Sequence, residues 1–224
     1  MLQDNIDTDQ ISPGTELMRS SDDGYTRWGE ALFATQRYLC DRTPNPSFIL
    51  NDPQWAQAEI LLAGENFGCG SSREWAVKAL RGFGFRAILA VSFGEIFAAN
   101  CFRHGVLPVE LPASVLSLLA SEIKHRGGGT CLAIDLESQV IVSPSGRCFP
   151  FELPEMQRRI FLEGIDEITF VLKYSSAITA FERADQTSRP WKYPIQAPAT
   201  PTESHATEEA RQCSTHRSTN RLKP

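Results

Sequence analysis

Residues 61–80 read LLAGENFGCGSSREWAVKAL. An apolar run enters Gly64, Gly68 and Gly70 and leaves as an amphipathic segment, the pattern of a strand that turns tightly into a helix. The neighbouring segments repeat the rhythm. Apolar runs at 60–63, 87–91 and 107–109 alternate with helical patterns at 74–81 and 95–103. This predicts β-α-β-α-β with parallel strands, and Gly82, Gly84 and Gly105 stand where helices should stop. A helix over 113–124 should end at the three glycines 127–129, followed by short strands at 131–136, 139–142 and 148–151. Ser143-Pro144-Ser145-Gly146 supplies a hairpin turn between the last two. Helical patterns at 154–163 and 175–183 complete a mixed α/β domain over 1–184. Residues 185–224, rich in Pro, Ser and Thr and poor in aliphatic residues, read as a disordered tail.

Within residues 61–80, Ser71 is followed three positions later by Glu74, a capping-box spacing that predicts a helix amino terminus near Ser71. Backbone amides at such an end, together with the helix dipole, favour a carboxylate or phosphate. Ser72 adds a hydroxyl, and Arg73 adds a planar fork able to grip a carboxylate with two hydrogen bonds. The same residues also fit a capped helix with an exposed arginine that binds nothing. The spacing is neither a Walker loop nor a dinucleotide fingerprint, and there is no nucleophile elbow. Asn5-Ile6-Asp7-Thr8-Asp9-Gln10-Ile11-Ser12 reads alone as a solvated turn. Its functional reading is that one aspartate crosses over to hold Arg73.

The composition bounds the alternatives. The 224 residues are 42% hydrophobic, which excludes wholesale disorder, and 22 Lys and Arg against 27 Asp and Glu give a net charge of −5. No general basic surface awaits nucleic acid. No apolar run approaches the roughly 20 residues of a bilayer crossing. The amino terminus is acidic and polar where a signal peptide is basic and apolar, so the expected location is cytoplasmic. Six scattered cysteines and four scattered histidines form no metal-binding spacing, so no metal is expected on this chain.

With these motifs in view, the sequence resembles the small subunits of 3-isopropylmalate dehydratases, the swivelling domain of the aconitase family. NIDTDQIS at 5–12, ENFGCGSSRE at 65–74 and GFRAILAVSFGEIFAANCFRHGVLPV at 84–109 carry the resemblance, with weaker likeness over 158–181. It implies a layered β/β/α swivelling domain. It also implies a hydro-lyase of leucine biosynthesis, active only with a large subunit that holds a 4Fe-4S cluster, in a heterodimer or higher assembly acting on a small dicarboxylate. No cofactor would be bound by this chain. By motif position Ser71 matches the catalytic serine that removes a proton, Ser72 and Arg73 match substrate-carboxylate binders, and Asp9 matches the aspartate beside the arginine. The family's specificity loop falls on residues 13–21, where Leu17 and Met18 would meet an alkyl group and Arg19 a carboxylate. Trp75 stands where the family usually has histidine. A hydro-lyase for another substituted malate and an inactive binding homologue remain open.

Overall fold

The computed structural model describes residues 2–17, 25–126 and 131–194. Four short helices come first: α1 (Thr8–Ile11), α2 (Gly14–Leu17), α3 (Tyr25–Ala31) and α4 (Ala34–Arg37). The centre then runs β1 (Ile60–Leu62), α5 (Trp75–Phe83), β2 (Ala87–Ala90), α6 (Glu95–Arg103), β3 (Leu107–Glu110) and α7 (Ala113–Arg126). There follow β4 (Ala133–Asp135), β5 (Val140–Val142), β6 (Cys148–Pro150), α8 (Glu155–Glu163) and α9 (Glu167–Leu172). The β-α-β-α-β expectation holds: β1, β2 and β3 pair in parallel in that order, with Leu61 opposite Ile88 and Leu89 opposite Val109. The hairpin expectation holds too. β4, β5 and β6 form an antiparallel sheet, and Gly146, at φ +85°, donates its N–H to the Ser143 carbonyl at 2.9 Å.

The period-2 alternation of β2 separates two cores. Ile88 and Ala90 face one that holds Ala76, Val77, Ala79 and Leu80 of α5, Phe97 and Cys101 of α6, and Ile6, Ile11 and Phe33 from the amino-terminal segment. Ala87 and Leu89 face the other, with Leu116 and Leu119 of α7, Ile141 of β5 and Phe151. The parallel sheet is thus covered by helices on one side and by α7 with the antiparallel sheet on the other, the layered architecture expected. Each fully buried Val, Leu, Ile or Phe contributes about 1.5–3 kcal/mol, so this segregation fixes the register of the central strand.

Gly84 and Gly105 end helices with left-handed backbone, at φ +127° and +66°. Gly82 does not: it lies inside α5, where α3 crosses so closely that a Cβ on Gly29 would stand 2.6 Å from the Gly82 carbonyl. The missing Cβ of Gly29 makes that crossing possible. The glycines expected to end α7 lie outside the described residues.

From Tyr174 the chain forms a separate unit. Helix α10 (Ser175–Ser188) continues past residue 184, the expected end of the domain, and a 3-10 turn at Pro190–Lys192 follows. Within this unit Tyr193 Oη donates to the buried Asp185 carboxylate at 2.9 Å. The rest of the expected tail, 195–224, lies outside the described residues.

Candidate active site

The amino-terminal motif is no solvated turn. Residues 5–8 run alongside 65–69: Asn5 N–H donates to Glu65 O at 2.8 Å, Gly68 N–H to Ile6 O at 2.7 Å and Thr8 N–H to Cys69 O at 2.9 Å. Asp7 then caps α1, accepting from Gln10 N–H at 2.7 Å. Ile6 and Ile11 enter the core, and Thr8 is 5% exposed. Asp7 is committed to the cap, which leaves Asp9 to face outward.

The glycine turn opposite is shaped by close approach. Gly68 has φ +77°, and a Cβ there would lie 2.2 Å from the Phe97 ring of α6; a Cβ on Gly94 would lie 2.8 Å from the Gly68 carbonyl. Beyond it the chain turns out through Gly70, at φ +100°, into Ser71, Ser72 and Arg73.

Here the structure brings the expected residues together. Ser71 Oγ accepts from Arg73 Nε at 2.8 Å and from the Arg73 backbone N–H at 3.3 Å. Arg73 Nη2 reaches Asp9 Oδ1 at 3.4 Å. The guanidinium lies 5.3 Å from the Trp75 ring centroid, a cation–π distance, and a Cβ on Gly14, the first residue of α2, would be 3.7 Å from Arg73 Nη1. Serine, aspartate, tryptophan and the start of the segment following the first motif therefore surround one guanidinium. Trp75, the departure from the family pattern, is the stacking surface. Ser72 is exposed, and the Arg73 and Asp9 side chains keep 46% and 67% of their accessibility, so the site is open to solvent. Clefts of about 670 and 570 Å3 elsewhere are lined by none of these residues.

The capping box does not form. α5 begins at Trp75, Glu74 is its N-cap residue, and no side chain caps the end. Long-range partners win instead. The Glu74 carboxylate accepts from or pairs with His104 Nε2 at 3.0 Å, and Lys78 lies 3.7 Å away. Its hydrogen bond with His104 holds the Glu74 carboxyl below the usual glutamate range. Ser71 is thereby left out of the helix, with its hydroxyl beside the guanidinium.

Three contributors carried no local sequence signal. Thr8 Oγ1 accepts from Ser71 N–H at 3.1 Å, Asn100 Nδ2 donates to the Ser72 carbonyl at 3.2 Å, and His104 holds Glu74. Only the helical spacing of Asn100 and His104 on α6 could have suggested a shared face. Leu17 is the last residue of α2, while Met18 and Arg19 lie outside the described residues. Among the described residues no three His, Cys, Asp or Glu side chains stand where a metal ion could be held. Cys101 is sealed in the core, and burial pushes its thiol well above the usual range.

The fold and this motif-bearing turn define a swivelling-type domain, and comparison with known proteins agrees. Residues 2–114 match the family described as the aconitase C-terminal domain. The 3-isopropylmalate dehydratase small subunit of Cupriavidus necator is 48% identical over 193 residues, 85% of this chain and 91% of that protein. That of Agrobacterium fabrum is 46% identical over 84% of this chain and 91% of its own length. The crystal structure of a 3-isopropylmalate dehydratase from Methanocaldococcus jannaschii matches with a TM-score of 0.53 and 30% identity, covering 80% of this chain and 93% of that one. The chain belongs to the aconitase C-terminal domain family and, within it, to the family of 3-isopropylmalate dehydratase small subunits.

Proposed function

We propose that this chain is the small subunit of a 3-isopropylmalate dehydratase, a hydro-lyase that interconverts 2- and 3-isopropylmalate by dehydration and rehydration in leucine biosynthesis. It works with an iron-sulfur large subunit, and in the cytoplasm; Cys40, Cys69, Cys101 and Cys148 as thiols rather than disulfides suit a reducing compartment. An iron-sulfur cluster needs converging thiolates, which the described residues do not offer, so the 4Fe-4S cluster is assigned to the partner.

The observation that carries the reading is the bond from Arg73 Nε to Ser71 Oγ, with the same guanidinium tethered to Asp9. In a dehydration of this type a proton leaves the carbon next to a carboxylate while hydroxide leaves the adjacent carbon. Ser71 is the base for that proton. A serine alkoxide is a high-energy species in water, and each unit by which its pKa falls takes about 1.4 kcal/mol of preferential stabilisation. A cationic Nε–H and a backbone N–H, already on the oxygen, are the groups that favour the anion. Arg73 also offers its terminal nitrogens to a substrate carboxylate, and Ser72 adds a hydroxyl donor. Asp9 holds the guanidinium in place between the two tasks. Asp9 is largely exposed, and its attraction for Arg73 strengthens once a closing partner expels water. An open half-site of this kind leaves the isolated chain inactive. The segment 13–21, which starts against Arg73 at Gly14, selects the substrate, with Leu17 and Met18 toward the alkyl group and Arg19 toward a carboxylate.

The test is reconstitution with an iron-sulfur large subunit, following 2-isopropylmalate. Isomerisation should require both chains. Turnover by either chain alone would overturn the division of labour, and turnover only of another alkylmalate would reassign the substrate to that compound.

A further inference from the structure

Helix α6 faces the serine loop along its whole length. Phe97 fills the space a Cβ on Gly68 would need, Asn100 Nδ2 donates to the Ser72 carbonyl at 3.2 Å, and His104, capping the helix, meets Glu74 at 3.0 Å. Steps of three and four residues put these groups on one helical face. That face meets the loop at residues 68, 72 and 74 in turn.

Asn100 is the member of the set that a core would not choose. It is 3% exposed and lies beside Phe97 and Cys101, which are fully apolar neighbours in the core. Burying an amide costs free energy unless it is hydrogen-bonded, and an aliphatic side chain would fill the volume without that demand. Its bond to Ser72 O is the use to which the amide is put. On the other side of the loop the nearly buried Thr8 accepts from Ser71 N–H at 3.1 Å. The two tethers bracket the α-carbons of Ser71 and Ser72, so both hydroxyls hang from a backbone segment pinned at each end.

We propose that Asn100 is a positioning residue of the reaction, which acts through the Ser72 carbonyl to hold the Ser71 and Ser72 hydroxyls in register with Arg73. The inference rests on the role given to Ser71 and Arg73 above. Misplacing a reacting group by about 1 Å costs on the order of 100-fold in rate. The loop is exposed on its outer side, so the inner tethers carry that placement.

The experiment is Asn100→Ala in the chain assembled with its large subunit. kcat should fall about 10- to 100-fold with KM within about twofold, because the substrate carboxylates are still met by Arg73. Should that variant lose more than about 5 °C in Tm, Asn100→Leu, of the same branched shape but without the donor, replaces it with the same expectation. A kcat within about twofold of the unaltered enzyme would overturn the proposal. If the unaltered pair fails to turn over 2-isopropylmalate, the functional reading falls by itself, and amide hydrogen exchange of the full chain decides this inference. Exchange at residues 71–73 should then quicken about 10-fold in Asn100→Ala while that of α5 is unchanged. Unchanged exchange across the loop would refute the tether.

Discussion

Two loops of this molecule carry the same short sequence chemistry, a serine and, two residues on, an arginine. At Ser71 and Arg73 the Nε–H reaches the serine oxygen at 2.8 Å; at Ser145 and Arg147 it does so at 3.2 Å. Both arginines meet a carboxylate, Asp9 at 3.4 Å and Glu122 at 2.9 Å. The difference lies in what that carboxylate touches. Glu122 accepts from the Ser145 hydroxyl at 3.0 Å and from the Ser145 N–H at 3.1 Å, which commits the serine proton and places negative charge where an alkoxide would have to form. Asp9 is bonded to the arginine, and among the described residues no carboxylate accepts from Ser71. One arrangement is a self-satisfied hairpin turn. The other leaves an oxygen surrounded by donors, which is what a proton acceptor needs.

The comparison can be broken most directly at the serines. In the assembled enzyme Ser71→Ala should lower kcat about 10²- to 10⁴-fold, while Ser145→Ala should leave it within about twofold; steady-state isomerisation assays decide, and equal behaviour would erase the distinction. The glycines sharpen it next. Gly68→Ala combines left-handed strain with a collision on Phe97 and should cost about 2–5 kcal/mol, whereas Gly146→Ala, at φ +85° with open space where the Cβ would stand, should cost about 1–2 kcal/mol. Thermal or urea unfolding measures both, and equal losses would mean that α6 does not press on the loop as described. Arg73→Lys should lower kcat/KM about 10- to 100-fold, since one ammonium cannot serve serine and substrate together; Arg147→Lys should not change it. The smallest effect concerns Glu74. Its folded carboxyl titrates below its unfolded value of 4.5, so its contribution to stability is present above that value and is lost as pH falls through the depressed folded one. Glu74→Gln should therefore flatten the fall of Tm on acidification below about pH 5, and an unaltered Tm–pH curve would show that the contact with His104 contributes nothing.

The parallel unit, the hairpin and its turn were legible because each is set by short-range pattern: apolar runs of strand length, helical periods between them, and Ser-Pro-Ser-Gly where the chain reverses. The motifs point to Ser71, Arg73 and Asp9, and the fold brings their side chains together. The misreadings share a cause. Ser71 with Glu74 satisfies the capping-box spacing locally, but His104, 30 residues on, takes the carboxylate. Gly82 looks like a helix stop until α3 arrives at Gly29. The amino-terminal motif looks solvated because a bridge to Cys69 leaves no periodic trace over so few residues. Asn100 looks like any polar helix residue until the Ser72 carbonyl is placed above it. In each case a partner outside the local window decides what the residue does.

The clamp on the serine loop has a consequence for the order of folding. Thr8 meets Ser71 and Asp9 meets Arg73 across 63 and 64 residues, far more than the spans that join β1 to β2 or β2 to β3. Closing the longer loops carries the greater entropic penalty, so the sheet and its crossover helices can form while the amino-terminal segment is still undocked. Such a chain has its secondary structure but lacks the amino-terminal tethers of the serine loop, which arrive with the final zippering of residues 4–9 onto 65–73.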